Sequence, residues 1–446
     1  MKRVGFFKGL SLPRKLILGF MGAILVGTFL LMLPISTVSG EGLDFLTALF
    51  TITSAVCVTG LSVIDISKEL NIVGQIFLLI FIQLGGLGIM TFSSFVFLLI
   101  KKRISYEEKE LLKEERNVEN TGGILKFLKK VIFTVVTIEG IGSIFLTIKF
   151  SQEMPLFKAT YYGIFHSISA FCNAGFSLFT TGLEGYSGSI IINFTIAYLI
   201  ILGGIGFGVI DSIINSVRTK KYKLNLTAKV AIIMSCFLTI MGMVLFFVLE
   251  YTNNGTIGNM SLLEKMMASF FQSVTTRTAG FNTVPMGNLR PSSIFLFCIL
   301  MFIGASPGST GGGIKTTTIG VLIVYVNSII KKREHTILFN RRIDWEVMNR
   351  AIAILILSIM YITVVVMIMM SIENFDPEAI IFEVVSAFGT VGLSVGITPD
   401  LGIISKLLII STMFLGRLGP MTFAIAFGGV NKVDKIKFPK ENIIVG

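Results

Sequence analysis

Ser54-Ala55-Val56-Cys57-Val58-Thr59-Gly60-Leu61-Ser62 closes a short apolar run, and its pattern returns three times along the chain. The later copies read Ser169-Ala170-Phe171-Cys172-Asn173-Ala174-Gly175-Phe176-Ser177, Val274-Thr275-Thr276-Arg277-Thr278-Ala279-Gly280-Phe281-Asn282 and Ser386-Ala387-Phe388-Gly389-Thr390-Val391-Gly392-Leu393-Ser394. Each ends on glycine, then Leu or Phe, then Ser or Asn. Successive glycines lie 115, 105 and 112 positions apart, a spacing regular enough to define an internal repeat.

The segments in front of these stretches, Leu43–Val56, Thr160–Phe171, Leu262–Thr276 and Pro377–Phe388, are apolar but only 12 to 15 residues long. A helix needs roughly 20 apolar residues to cross a bilayer, so these lengths suit re-entrant segments. Longer apolar runs flank them: Leu16–Pro34, Ile72–Ile100, Val131–Ile148, Ile190–Val217, Val230–Leu249, Ser292–Ile330, Ala351–Met370 and Ile403–Phe427. The pattern predicts an all-α polytopic membrane protein. Its four helix, re-entrant pore helix, helix repeats are arranged pseudo-fourfold around one pore, giving eight transmembrane helices plus four pore helices. The expected divisions are 1–100 (N-terminal tail and repeat 1), 101–218 (repeat 2 with its preceding loop), 219–330 (repeat 3), 331–430 (repeat 4) and a tail, 431–446. The first run follows basic residues as a signal peptide would, but it is long and no small-residue cleavage site follows, so it reads as a retained anchor.

Composition agrees: 53% of residues are hydrophobic and 14% charged, with a mean hydropathy of +0.83, far from soluble-domain averages. The formal net charge of +12 raises the question of nucleic acid, and the location of the charge answers it. Of 38 Lys and Arg, 29 fall in 1–15, 101–130, 218–229, 331–350 and 432–440. All of these precede the first span or follow an even-numbered one. The positive-inside rule then places both termini in the cytoplasm of a multi-pass cell-membrane protein, with no nucleic-acid partner. Patterning around Glu107–Arg116 and Lys126–Lys130 suits a solvated face or a docking surface. Cys57, Cys172, Cys236 and Cys298 have no paired spacing, and His166 and His335 are too few for a metal cluster.

A second mark follows each glycine stretch. Gly85-Gly86-Leu87-Gly88, Gly203-Gly204-Ile205-Gly206, Gly304-Ala305-Ser306-Pro307-Gly308 and Gly416-Arg417-Leu418-Gly419-Pro420 begin 25, 28, 24 and 24 residues after their glycines. In the first two units close helix packing explains them; in the third and fourth, proline and charge point to more.

An ion entering the bilayer must exchange its water for other oxygens, and rings of backbone carbonyls can supply them. Glycine permits the backbone angles such an inward-turned loop needs. Non-helical backbone at membrane depth is tolerable where it lines a wet cavity, and the C-terminal end of each short helix favours a cation.

One glycine per loop, four unlike loops in one chain and the recurring order of span, short helix, filter and span resemble the Trk/Ktr/HKT family of potassium translocators over about residues 15–430. Because the chain opens directly with its first repeat, it is more similar to the Ktr-type membrane subunit than to the longer Trk type. The resemblance implies a filter made of Cys57, Val58, Thr59 and Gly60; Cys172, Asn173, Ala174 and Gly175; Arg277, Thr278, Ala279 and Gly280; and Gly389, Thr390, Val391 and Gly392, binding K+ by backbone carbonyls. It implies an intramembrane gating loop containing Gly304, Ser306, Pro307, Gly308, Gly311, Gly312, Gly313 and Lys315, with Arg417 as a positive barrier below the filter. It also implies a homodimer with one pore per chain and a cytosolic nucleotide-binding regulatory ring. No cofactor is expected on this chain; K+ is the transported ion, with Na+ as the alternative.

Arg277, Lys315 and Arg417 are charges inside core segments and therefore functional candidates. For Arg277 a structural position behind the filter is expected. Glu139 is the acidic candidate to pair with Lys315 or Arg417. The run 304–316 also resembles a phosphate-binding loop, but Ile314 shifts the lysine by one place and no strand precedes it. Three rivals stay open at this point: a sodium-permeable or sodium-coupled member of the same family, a secondary transporter built on broken helices, and a membrane hydrolase, which would need a nucleophile and base that the core does not display.

Overall fold

The computed structural model describes residues 11–88, 124–219 and 224–427. The patterned segment Glu107–Arg116, the C-terminal tail and much of the basic sequence lie outside the described residues. In chain order the helices are α1 (Leu12–Leu31), α2 (Phe45–Cys57), α3 (Ile66–Glu69), α4 (Ile72–Leu87), α5 (Ile124–Phe150), α6 (Leu156–Phe171), α7 (Ile190–Ile205), α8 (Phe207–Thr219), α9 (Leu226–Glu250), α10 (Leu262–Thr275), α11 (Pro291–Phe302) and α12 (Thr316–Ile330). A two-residue-per-strand hairpin, β1 (Ile337–Leu338) and β2 (Arg341–Arg342), leads into α13 (Trp345–Ile372), α14 (Pro377–Gly389), α15 (Ile403–Leu418) and α16 (Pro420–Phe427).

Four unbroken helices, α1, α5, α9 and α13, are long and apolar enough to cross a membrane. Their outer faces stay uncovered: Phe133, Ile240 and Met367 are 75%, 62% and 64% exposed. Apolar side chains displayed on that scale require lipid rather than water as solvent.

The later spans of the second and fourth units are interrupted at the glycine marks that follow their repeats. The α7–α8 pair bends by 97° and the α15–α16 pair by 92°. The bends fall at Gly206 (φ 98°, ψ 135°) and Gly419 (φ 87°, ψ 141°), and α4 stops at Gly88 with nearly the same angles (φ 78°, ψ 138°). Side chains exclude that region, so glycine is what lets the chain turn there. The second unit therefore breaks as sharply as the fourth, where packing alone had been the expectation. Packing is present as well, one turn earlier. A Cβ on Gly85, Gly203 or Gly416 would run into the carbonyl oxygen of Val56, Phe171 or Phe388 at the end of a short helix. In the third unit α11 and α12 are separated by residues 303–315, whose ends meet in an isolated bridge between Ile303 and Ile314.

The short helices α2, α6, α10 and α14 sit in the interior, with Phe50, Phe165, Phe171, Phe271, Phe382 and Phe388 fully buried. Their starts are fixed by local chemistry. Asp44 accepts from Thr47 N (3.0 Å) at the head of α2, Ser261 and Glu264 form a reciprocal capping box on α10, and Pro377 occupies the first turn of α14. Such caps satisfy donors a helix start leaves open. The packing is cyclic: α4 lies on α6, α7 on α10, α11 on α14, and α15 on α2. The last and first helices also meet, with Arg14 Nε donating to Ala426 O at 2.8 Å.

Candidate ion pathway

Each interior helix ends in the same backbone manoeuvre. Val58, Asn173, Thr278 and Thr390 adopt left-handed φ of 58°, 59°, 69° and 50°, and two residues later Gly60, Gly175, Gly280 and Gly392 do so again at 96°, 70°, 79° and 90°. The intervening Thr59, Ala174, Ala279 and Val391 are not left-handed. In an ordinary strand successive carbonyls point to opposite sides; alternating the hand of φ turns them toward one side. A non-glycine residue held left-handed costs about 1–2 kcal/mol, so the four non-glycine residues at matched positions need external support.

The support comes from the helix ends. Thr59 N, Ala174 N and Val391 N each donate to the carbonyl of the serine five residues earlier (Ser54, Ser169, Ser386) at 2.8 Å, while Ala279 N reaches Thr275 O at 3.0 Å. The hydroxyls of the same residues hold the loops: Ser54 Oγ accepts from Gly60 N (2.9 Å), Ser386 Oγ from Gly392 N (3.1 Å), Ser169 Oγ donates to Phe176 O (2.8 Å) and Thr275 Oγ1 to Phe281 O (2.6 Å). These serines and Thr275 stand within the quoted stretches; their recurrence ahead of each glycine was the signal for a loop-holding role.

The four loops meet in cyclic order. A Cβ on Gly60 would lie 2.5 Å from Ala174 O, and one on Gly175 would lie 2.8 Å from Ala279 O. A Cβ on Gly280 would strike Val391 O, and one on Gly392 would strike Thr59 O, closing the ring. Only an α-hydrogen fits between neighbours at that separation. All four glycines line one cavity of about 550 Å³, together with Asp65, Glu184 and Asn282. Burial pushes the Glu184 carboxyl up, only partly countered by the Asn282 amide donating to it at 2.7 Å. Burial acts the same way on Asp65, but hydrogen bonds led by Ser67 and Thr180 outweigh it and hold that carboxyl below its usual range.

On the other side of the ring lies the 303–315 loop, where the structure brings together every residue proposed for it from the sequence. Gly312 N donates to Thr390 Oγ1 (2.9 Å), and a Cβ on Gly311 would strike Thr278 Oγ1. Ser306 N and Thr310 N donate to Gly204 O (3.0 Å) and Gly203 O (3.2 Å), Gly313 N to Gly416 O (3.1 Å), and Phe207 N to Gly308 O (3.1 Å). Ser306 Oγ pairs with Thr316 Oγ1 at 2.8 Å, and Pro307 O lies against Gly206. Lys315 Nζ turns back onto Gly311 O (2.7 Å) and Gly312 O (3.4 Å). The Arg417 guanidinium donates to Thr310 O and to Gly85 O, tying this loop to the first unit.

Two other charges sit apart from the ring. Arg277 points away from it, donating to Ser235 O (3.1 Å) and Ser235 Oγ (2.9 Å) on α9, as expected for a group behind the loop. Glu139 does not meet Lys315 or Arg417. Its carboxylate accepts from Gln83 Nε2 at 3.1 and 3.3 Å, and Cys172 Sγ lies 4.0 Å away. The reason is positional: α5 packs on α6, so its carboxylate faces α4 behind the second loop, while the two cations satisfy themselves on carbonyl oxygens.

Four interior loops whose glycines abut one another's carbonyl oxygens in cyclic order, inside a shell of long apolar helices, mark a polytopic membrane protein. Residues 20–436 match the TrkH model, described as a cation transport protein, and the chain belongs to that family. It is 37% identical over 434 residues to the Ktr system potassium uptake protein B of Bacillus subtilis (strain 168), covering 97% of this chain and 96% of that protein. It is 35% identical to the protein of the same name from Vibrio alginolyticus (97% and 95% covered). The potassium/sodium uptake protein NtpJ of Enterococcus hirae is 37% identical, with 98% of both chains covered. The crystal structure of the potassium transporter TrkH from Vibrio parahaemolyticus shares the fold, with a TM-score of 0.74 over 94% of this chain and 86% of that one at 18% identity. The chain is thus a membrane-spanning transporter of the Ktr type rather than an enzyme.

Proposed function

We propose that this chain carries potassium into the cell through a single-glycine filter formed by Gly60, Gly175, Gly280 and Gly392 with the backbone of the residues before them. The observation that carries the reading is the cyclic contact of four left-handed glycines, each abutting the carbonyl of the next loop. Carbonyls turned to one side replace an ion's hydration shell, and the four interior helices direct their negative ends to the same place. The repeats of the sequence reading, with divisions near residues 100, 218 and 330, are then four units about one pore. The 303–315 loop, tied by Arg417 to Gly85 and Thr310, obstructs the path beneath the ring and acts as the gate, with Lys315 and Arg417 adding positive charge that a cation must pass.

The basic stretches put the cavity lined by Asp65 and Glu184 on the outer face and both termini in the cytoplasm. By family resemblance the chain works as a homodimer with a cytosolic nucleotide-binding ring docked on its basic inner loops. A sodium-permeable or sodium-coupled member is the second reading, favoured by the 37% identity to a protein named for both ions.

Expression in cells lacking their own potassium uptake tests this. Growth at low potassium and rubidium tracer uptake are expected, with sodium a weak competitor. Failure of a correctly inserted chain to restore either would refute the proposal; equal sodium uptake would select the second reading.

A further inference from the structure

Two ionisable side chains that the pathway does not use occupy the same place in different units. His166 on α6 and Glu383 on α14 each stand nine residues before their glycine, and both are fully buried. Each holds the loop that follows its own glycine. His166 Nε2 accepts from Leu178 N (3.3 Å) and meets Ser177 Oγ (3.0 Å), while Nδ1 meets Tyr162 O (2.8 Å). Because Leu178 N can only donate, Nε2 is the acceptor, so the ring is the neutral tautomer with its proton on Nδ1. The Glu383 carboxylate accepts from Thr398 Oγ1, which also lies 2.9 Å from Ser394 Oγ; that hydroxyl in turn accepts from Gly396 N at 3.0 Å. Ser177 and Ser394 are both two residues past their glycines.

The other two units are built differently: in the first, Thr51 Oγ1 has no partner among the described residues, and in the third the neighbouring Gln272 reaches the loop instead, its Nε2 donating to Thr283 Oγ1 at 3.3 Å. The matching positions are Thr51 and Phe271, and the residues two past the glycine, Ser62 and Asn282, bond instead to Ile64 O (2.7 Å) and to Glu184 (2.7 Å). The cyclic order of contacts places loops two and four opposite each other across the ring. Burying a carboxyl whose second oxygen has no partner among the described residues is costly, so packing does not account for Glu383.

We propose that His166 and Glu383 are positioning residues that fix two opposite walls of the ring from behind, making ion preference depend on side chains that never touch the ion. The inference rests on the filter reading above. Loops two and four keep their width because an ionisable side chain nine residues before the glycine pins each to the helix that carries it; loop three has the longer amide contact from Gln272, and loop one adapts around them.

The test is the ratio of rubidium to sodium uptake by the full chain in vesicles. Glu383→Leu, Thr398→Val and His166→Leu each remove one pin and are expected to lower the ratio about three- to tenfold, the range set by losing one buried hydrogen bond. Glu383→Gln keeps an acceptor and is expected to hold the ratio within about twofold. Gly392→Ser is the control for the ring itself. If that change lowers the ratio while the Leu and Val variants leave it at the wild-type value, the positioning role is refuted. If Gly392→Ser also leaves it unchanged, the filter reading fails first. Should Glu383→Leu fail to accumulate, Thr398→Val decides, since it removes only a hydroxyl: an unchanged ratio overturns the proposal.

Discussion

Placing a methyl group on Gly60 is the sharpest test of the ring, because the structure supplies its own control. Gly60 and Gly40 both have left-handed φ, 96° and 74°, so Gly→Ala incurs about 1–2 kcal/mol of backbone strain at either position. Their surroundings differ. A Cβ on Gly40 would meet nothing within 4 Å, whereas on Gly60 it would lie 2.5 Å from Ala174 O, a separation real Cβ atoms do not tolerate below 3.0 Å. The first and second loops must therefore part by about 0.5 Å, the difference between those values. That displacement moves the carbonyl adjoining Gly175, which itself abuts Ala279 O so closely that a Cβ there would lie 2.8 Å away, so it spreads around the ring. An altered coordination worth about 1.4 kcal/mol is a tenfold change in preference. Gly60→Ala is thus expected to cut the rubidium-to-sodium uptake ratio by about tenfold, and Gly40→Ala to leave it unchanged while lowering thermal stability by a similar strain term. Tracer competition on membrane-inserted protein, with melting measured in parallel, reads both quantities. A Gly60→Ala chain that is stably inserted and as selective as the wild type would refute the claim that these glycines set the ion path.

Arg417→Gln removes charge-assisted hydrogen bonds to Gly85 O and Thr310 O, each worth about 1.5–3 kcal/mol; faster potassium uptake at fixed concentration is expected, and uptake that falls in well-folded protein would count against a barrier role. Ser386→Ala leaves Gly392 N without its acceptor, a loss of about 1–3 kcal/mol, so melting should drop and ion preference weaken together; a drop in melting alone would separate that hydroxyl from the pathway. Because burial raises Glu184 while hydrogen bonds keep Asp65 low, acidification protonates Glu184 first. The cavity then loses negative charge as pH falls into the upper carboxyl range, and the KM for potassium should rise by about twofold, an effect that vanishes in high salt. Glu184→Gln should show the higher KM at every pH, and a persisting pH step in that variant would assign the titration elsewhere.

What the sequence made legible follows from which features are local. The length of each interior helix and the glycine that ends it are properties of one short stretch, so α10 and α14 lie where the pattern predicted, within a residue. The bends at Gly206 and Gly419 were also written in the motifs, as the last glycine of each, but glycine serves both packing and turning. Only the neighbour decides: Gly203 abuts a carbonyl, Gly206 takes the forbidden angles. The partner of Glu139 was not legible at all, because it depends on which helix α5 packs against, a long-range outcome that spacing along the chain does not encode. Ser54, Ser169 and Ser386 were visible as a recurrence whose purpose emerges only once the loop folds back over the helix end.

The third unit departs from the others in how its second helix breaks. Three units end their second helix with the same glycine turn, at Gly88, Gly206 and Gly419. The third unit replaces the turn with 303–315, and its helix end differs accordingly: Ala279 N bonds to Thr275 O, four residues back, where the other loops reach back five. Having one loop bear on all the others makes its position collective. It is held by Gly203 and Gly204 of the second unit, by Thr390 and Gly416 of the fourth and, through Arg417, by Gly85 of the first. On the reading proposed above, a rearrangement of any one of these helices would reach the ring through the hydrogen bond from Gly312 to Thr390.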